Sequence, residues 1–275
     1  SETKPTRDLL DVIRDSNPQK TAAVFATETL SYGALAARAS AVASQLQDGP
    51  VLLLARNPLN ALVGWVGCYH RGVTCAIIDP VVFARFRAEI DSRFKYSQVI
   101  LDSDLDLVPG TPAIDMRSLP DTAWVDAGRR ARQGDLVLAT SRTTGALKLV
   151  RHSHTDLAKH HCSWSNVAAL QERDFVACQS HLSNAYVFNI AVIWTLWSGR
   201  TVCFVPVGGK PHSKTTVSCL PMSHLQRCPV LAGLRLAVSA GQMIHMAEWE
   251  WFARTYSSAR LLNKVGATET LTCFL

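Results

Sequence analysis

Between residues 51 and 102 the chain alternates short apolar runs with longer segments, and this rhythm restricts the fold more than any other feature. "VLLLA" (51–55), "VTCAIID" (73–79) and "SQVILD" (97–102) have strand length and almost no polar alternation, so both faces of each must be covered. The intervening stretches, from Leu59 to about His70 and from 82 to 93, have helix length. Strand, helix, strand in that order implies parallel strands joined by crossover helices. The fold class expected is α/β, in layered sheets with helices packed on both faces.

The rest of the chain extends the pattern. Residues 7–15 read as a short helix and "TAAVFA" (21–26) as a strand. "SYGALAARASAVASQLQ" (31–47) reads as a helix with Leu35, Val42 and Leu46 on one face, stopped by Gly49 and Pro50. The Pro- and Asp-containing stretch 102–134 reads as a connector, with a boundary near 105–135 between subdomains 1–105 and 135–275. Beyond it, "GDLVLAT" (134–140) is a strand, 155–170 a helix, and "LRLAVSAG" (234–241) and "ARLLNKVGATET" (259–270) further strand-to-loop units. "EWEWF" (248–252) reads as an amphipathic helix with its aromatics turned inward, and Trp194 and Trp197 read as core.

With 48% hydrophobic and 18% charged residues the chain has material for a sizeable core. Its charge of +6 is scattered, without a basic run or a basic-aromatic ladder, which argues against nucleic acid and suits anionic small molecules. The 8 cysteines form no C-x-x-C pair and lie mostly in apolar runs, the pattern of buried free thiols in a reducing compartment. "SETKPTRDLL" lacks a signal-like apolar region, and "AYVFNIAVIWTLW" (185–197) is too short to cross a bilayer, so no membrane insertion and a cytoplasmic location are expected.

The segment "LATSRTTGALKLVRHSH" (138–154) concentrates the chemistry. After a strand it gathers Ser141, Thr143, Thr144, Gly145 and Lys148, the parts of a loop whose N–H groups, hydroxyls and ammonium close around phosphate. It is not a Walker A loop, since G-x-x-x-x-G-K-[ST] occurs nowhere.

Read with its surroundings, the segment resembles the phosphate loop of the adenylate-forming superfamily: acyl-CoA synthetases, aryl-acid ligases and nonribosomal peptide synthetase adenylation domains. The family form [YF]-T-S-G-T-T-G-x-P-K-G-V is matched by Ala139-Thr140-Ser141-Arg142-Thr143-Thr144-Gly145-Ala146-Leu147-Lys148-Leu149-Val150, followed by His154. "LSYGALAARASAVASQL" and "NALVGWVGCYHRGVTCAIIDP" resemble two upstream landmarks, and "LRLAVSAGQM" and "LLNKVGATET" resemble two downstream ones, in the family's order. The architecture implied is that family's large N-terminal domain.

The resemblance implies roles. Thr140, Ser141, Thr143, Thr144, Gly145 and Lys148 would hold the phosphates of ATP. Ala240, Gly241 and Gln242 would line the adenine and acyl side, Gly266, Ala267 and Thr268 would frame AMP, and Glu269 would bind Mg²⁺. Lys148, Thr268 and Glu269 are thus the candidate catalytic residues. Arg142, Leu147 and Leu149 depart from the family's Gly, Pro and Gly, and Val265 from an aromatic residue, which alters the loop rather than the fold. The chain ends at "LTCFL", so the family's small C-terminal domain with its catalytic lysine is absent here, and Lys159, Lys210, Lys214 and Lys264 do not match that residue. A fragment of a longer protein and a natural short relative both fit.

The stretch 178–206 matches the part of the family that builds the acyl pocket, with His181, Asn184 and Tyr186 at its opening as candidate substrate-binding residues. No Asp or Glu lies between Phe175 and Lys210 to pair an amino acid's ammonium, so an uncharged aromatic or fatty tail is expected. His152, His154, His160, His161 and Cys162 mix a loop end with a helix, which suits loop anchoring better than zinc. The resulting expectation is ATP- and Mg²⁺-dependent activation of a small-molecule carboxylic acid, with transfer to the thiol of CoA or an acyl carrier protein. The alternative is a non-catalytic adenylation-like binding or scaffolding domain. A hydrolase is disfavoured, because no G-x-S-x-G elbow occurs.

Overall fold

The apolar runs become strands because nothing along them can face water. In a computed structural model, describing residues 7–105, 107, 109–120, 134–140, 147–240, 243–264 and 268, Val51–Leu54 (β3) and Gln98–Leu101 (β5) are buried at every position. Chain order begins with helix α1 (Leu9–Asp15), the hairpin β1 (Thr21–Phe25) and β2 (Glu28–Ser31), and α2 (Tyr32–Gln45). After β3 come α3 (Pro58–Arg71), β4 (Cys75–Ile77), α4 (Pro80–Arg93), β5, β6 (Ala113–Asp115), β7 (Asp135–Thr140) and β8 (Lys148–Ser153). The remainder is α5 (His154–Val167), β9 (Phe175–Gln179), α6 (Ala185–Phe188) running into a π-helical segment Asn189–Leu196, and β10 (Thr201–Val205). It closes with β11 (Val217–Ser218), α7 (Met222–Leu225), β12 (Leu236–Ala240), α8 (Met246–Thr255) and β13 (Arg260–Lys264).

Among the described residues the strands form two sheets: a 7-stranded sheet in the order β13-β12-β11-β9-β10-β1-β2 and a 6-stranded sheet in the order β6-β5-β3-β4-β7-β8. Every pairing is parallel except β1 with β2 and β7 with β8. The α/β class expected from the rhythm of strands and helices is therefore the observed one. Two elements were not foreseen. The stretch 102–134 contains β6, an edge strand on β5, and β8 returns antiparallel on β7 with Thr140 opposite Lys148. The 6-stranded sheet thus draws strands from both sides of the 105–135 stretch, while β1 and β2 join the other sheet. Strands from before and after the connector therefore share one sheet.

Helix α3 lies at the centre. Asn57 caps its first turn, Pro58 opens it and Gly72 ends it at φ 78°, a left-handed position that suits glycine. Nearly all its residues are buried, and Leu59, Trp65 and Tyr69 share one core with residues of both sheets. At Gly67 a Cβ would come within 2.6 Å of Val42, so glycine is what lets α2 and α3 touch. Trp194 is fully buried and stacks on Trp164 at 4.6 Å, and Trp197 is buried as well. In α8, Phe252 is buried but Trp249 is 40% exposed, so the expected inward aromatic face is only partly realised. The free cysteines Cys68, Cys75, Cys178, Cys203 and Cys219 are buried, and burial pushes the Cys75 and Cys178 thiols up. Among the described residues no helix is long and apolar enough to cross a membrane.

Asp174 ties the starts of three strands of the large sheet. Its carboxylate accepts from Gln171 N (2.6 Å), Thr216 Oγ1 (2.8 Å) and Arg235 Nε (2.8 Å), and pairs with the same guanidinium's Nη2. Burial alone would raise its pKa; the donors from Arg235, Gln171 and Thr216 outweigh it and hold the carboxyl below the usual value. A lowered folded pKa contributes stability that is present above about pH 4 and is lost as pH falls through the folded value. Asp174→Ala is expected to cost about 3 kcal/mol at neutral pH. Urea melts of both proteins should show that gap narrowing as the pH is lowered below about 4.

Candidate functional site

In a parallel sheet the carboxyl ends of the strands are the open edge where ligands are held. Here β12 and β13 end in register, Ser239 opposite Asn263 and Ala240 opposite Lys264. The two-residue repeat of β13 puts Lys264 on the same face as Leu262, which packs on the main core. Lys264 is only 4% exposed, and its Nζ lies 4.6 Å from the Trp164 ring centre and 4.8 Å from that of Tyr186. Tyr186 donates its hydroxyl to the Val238 carbonyl at 3.0 Å, so α6, α5 and the β12–β13 edge converge on one ammonium.

The second sheet reaches the same edge through β8. Buried His152 donates from Nε2 to the carbonyl of Thr268 at 2.8 Å, which fixes the tautomer and joins the strand that leaves the Ser/Thr-rich loop to the segment after β13. Its ring meets that of His160 edge-on at 6.4 Å. Burial, then the neighbouring His152, lowers the His160 pKa, with Lys264 adding to the effect. The other two histidines go elsewhere: His154 packs against Tyr69, and His161 stacks on Trp197. Among the described residues no group of three His, Cys, Asp or Glu could hold a metal ion.

Other polar atoms lie on the opposite face of these two strands and at the end of β7. Ser239 Oγ, Asn263 Oδ1 and Thr140 Oγ1 are buried, and none has a hydrogen-bond partner among the described residues. Such groups are costly to bury unsatisfied, so they mark places where a polar ligand completes the bonding. Thr140 ends β7, where the loop leaves, and exposed Lys148 begins β8, where it returns. The return is anchored by Leu147, which is buried in the second core cluster while its carbonyl accepts from Arg93. Leu147 therefore occupies the family's proline position as a core residue. These donors and acceptors suit a nucleotide's base, ribose and phosphates.

The expected site residues divide as follows. Ala240 ends β12 on this edge and Thr268 is bonded by His152 of β8, while Thr140 and Lys148 face each other at the paired ends of β7 and β8 in the other sheet. Ser141, Thr143, Thr144, Gly145, Gly241, Gln242, Gly266, Ala267 and Glu269 lie outside the described residues, as do Arg142 and Val265. The three acyl-pocket candidates separate. Tyr186 joins Lys264, and Asn184 spends its Oδ1 capping the N–H groups of Tyr186 and Val187. His181 lies 3.6 Å from Asp79 in a cleft of about 250 Å³, which Ala55, Arg56, Ile78 and Ser180 also line. Sequence reasoning missed Trp164, named His152 only as a loop-anchoring histidine and gave Lys264 no place at this edge. The segment "RLLNKV", with Arg260 and Asn263 beside Lys264, gave no signal that set the lysine apart.

Residues 11–275 match the family model of AMP-binding enzymes, and the chain belongs to that family. Its architecture is that of the N-terminal domain region of adenylate-forming enzymes. It is 25% identical over 304 residues to bacitracin synthase 3 of Bacillus licheniformis, an alignment covering 95% of this chain and 5% of that protein. Among solved structures it is similar to the nonribosomal peptide synthetase FmoA3 in its AMPPNP-bound form (TM-score 0.80, 20% identity, 100% of this chain and 33% of that one). It is similar also to the o-succinylbenzoate coenzyme A synthetase MenE of Bacillus subtilis in complex with AMP (TM-score 0.79, 16% identity, 97% of this chain and 75% of that one). The chain thus spans a small fraction of the synthase it matches.

Proposed function

We propose that the chain activates a carboxylic acid with ATP. The acid's carboxylate attacks the α-phosphorus, the bond to the pyrophosphate leaving group breaks, and an acyl-adenylate forms. A thiol of CoA or of an acyl carrier protein then takes the acyl group and releases AMP. The observation that carries this reading is the AMP-binding family, supported by the buried polar atoms Ser239 Oγ, Asn263 Oδ1 and Thr140 Oγ1 at strand ends, which have no hydrogen-bond partner among the described residues. The Ser/Thr-rich loop between Thr140 and Lys148 would hold the β- and γ-phosphates, and Lys148 would neutralise charge that builds as pyrophosphate leaves. Catalysis here is positioning and charge stabilisation, so no side chain needs to form a covalent intermediate.

Glu269 would hold Mg²⁺, which would supply positive charge against that of the phosphates. Glu269→Gln is expected to lower turnover at saturating acid by at least about tenfold and to raise the Mg²⁺ concentration needed for half-activity. Far-UV circular dichroism should be unchanged. Unaltered Mg²⁺ dependence would remove Glu269 from the site.

The tail of the acid is proposed to be aromatic or fatty, since residues 176–209 supply no carboxylate for an α-ammonium. Trapping the adenylate with hydroxylamine across a panel of aromatic, fatty and amino acids tests this. An α-amino acid preferred over its desamino analogue would overturn it. The second reading, a non-catalytic binding or scaffolding domain, draws on Arg142 standing where the family has glycine. That reading predicts no hydroxamate from any acid.

A further inference from the structure

The 6-stranded sheet carries a cleft on one of its faces, back from the strand ends. Val137 pairs with Arg151 and Ala139 with Leu149 across β7 and β8, so strand alternation turns these four to one side. That side is the one α4 covers: Val137 shares a core cluster with Phe83 and Ile90, and Leu149 packs against it. The helix ends at Arg93, and beyond it a cleft of about 490 Å³ opens over Phe94, Val137, Leu149 and Arg151. Val137 is 1% exposed and Phe94 6%, so its floor is apolar. Two guanidinium groups stand at the rim, each held in place by the protein. Arg93 donates from Nη1 to the Leu147 carbonyl, and its Nη2 lies 3.9 Å from Glu89, beyond hydrogen-bond length. Arg151 turns Nε (3.1 Å) and Nη2 (3.0 Å) to Asp135, which leaves Nη1 without a partner among the described residues. A guanidinium has five N–H donors, so an anchored arginine keeps some for a ligand. Lys148 borders the cleft as well, but it is assigned above to the phosphates, and the site rests on the two arginines.

We propose that this cleft binds an amphipathic organic anion, a flat apolar body carrying one carboxylate or sulfonate, at a place separate from the acid-activating site. A cleft of this size, with an apolar floor and a few fixed polar groups, has the make-up of a small-molecule site. The body lies on Phe94, Val137 and Leu149, and the anionic group accepts charge-assisted hydrogen bonds from the guanidinium groups at the rim. Asp135 and Glu89 cancel part of the rim's charge, so a singly charged anion fits better than a polyphosphate. The site holds whether or not the chain activates an acid.

The test uses three probes: 2-naphthalenesulfonate, which has both ring and charge, 2-naphthalenemethanol, which has the ring alone, and inorganic sulfate, which has the charge alone. Each is titrated calorimetrically into the 275-residue chain. The sulfonate is expected to bind at least about tenfold more tightly than either of the others, the worth of a hydrogen bond to a charged group in one comparison and of the apolar floor in the other. In a chain carrying both Arg93→Gln and Arg151→Gln, the preference for the sulfonate over the alcohol should shrink to about twofold or less. Thermal melts check that this variant folds. Hydrogen exchange on the wild-type chain needs no variant: the bound sulfonate should slow amides at 93–94 and 148–151. Equal binding of sulfonate and alcohol, no binding of the sulfonate, slowed exchange confined to α6, β12 or β13, or an undiminished preference in the folded double variant would each overturn the proposal.

Discussion

Replacing Lys148 with alanine is expected to lower kcat/KM for ATP at least about a hundredfold while leaving the melting temperature unchanged. Lys148 is exposed, and its backbone pairs with Thr140 whatever its side chain. The folded state therefore loses little with the ammonium, and exposed substitutions of this kind stay within about 0.5 kcal/mol. The transition state loses a full charge at the point where pyrophosphate departs. Because the interaction strengthens as charge develops, kcat should fall more than KM rises. Lys148→Arg should recover part of the rate, since a guanidinium keeps the charge but changes the geometry of its donors. Activity within about twofold of wild type would remove Lys148 from the phosphate site.

The largest effect on stability is expected from Trp194→Ala, about 3–5 kcal/mol by urea denaturation. Trp194 is fully buried, stacks on Trp164 with ring planes 20° apart, and donates Nε1 to the Ala168 carbonyl at 2.9 Å. Alanine leaves a cavity in the largest core cluster and orphans that carbonyl. The consequence reaches the site, because Trp164 is the ring on which Lys264 rests and Trp194 lies stacked against it. Trp194→Phe should return part of the stability but none of the Nε1 bond. A loss below about 1 kcal/mol for Trp194→Ala would contradict a stabilising role for the stacked indoles.

The parallel strands were legible because β3, β4 and β5 are buried throughout, and a residue buried on both faces can be read from its own chemistry. Edge strands were not. β6 is 3 residues long with one buried position, and β8, "KLVRHS", has polar residues at most positions because only His152 is fully covered. The phosphate loop was placed only by its order along the chain, which a resemblance can carry, and residues 141–146 lie outside the described ones. Lys264 was not, because what gives it meaning, Trp164 and Tyr186, lies far upstream in the chain and meets it only through the packing of α5 and α6. The histidine cluster failed as a cluster for the same reason: one ring bonds Thr268, one packs on Tyr69 and one stacks on Trp197. Adjacency in sequence at a strand-to-helix junction scatters side chains rather than converging them.

Thr140 and Lys148 at the paired ends of β7 and β8, with Ser239 and Asn263 near the ends of β12 and β13, are proposed to serve the formation of an acyl-adenylate. Exchange of labelled pyrophosphate into ATP reports that step directly, since it requires the adenylate to form and to revert. The account predicts exchange that depends on added carboxylic acid and on Mg²⁺ and collapses in Lys148→Ala. Absence of exchange with every acid in the panel, together with no calorimetric binding of ATP to the wild-type chain, would contradict it.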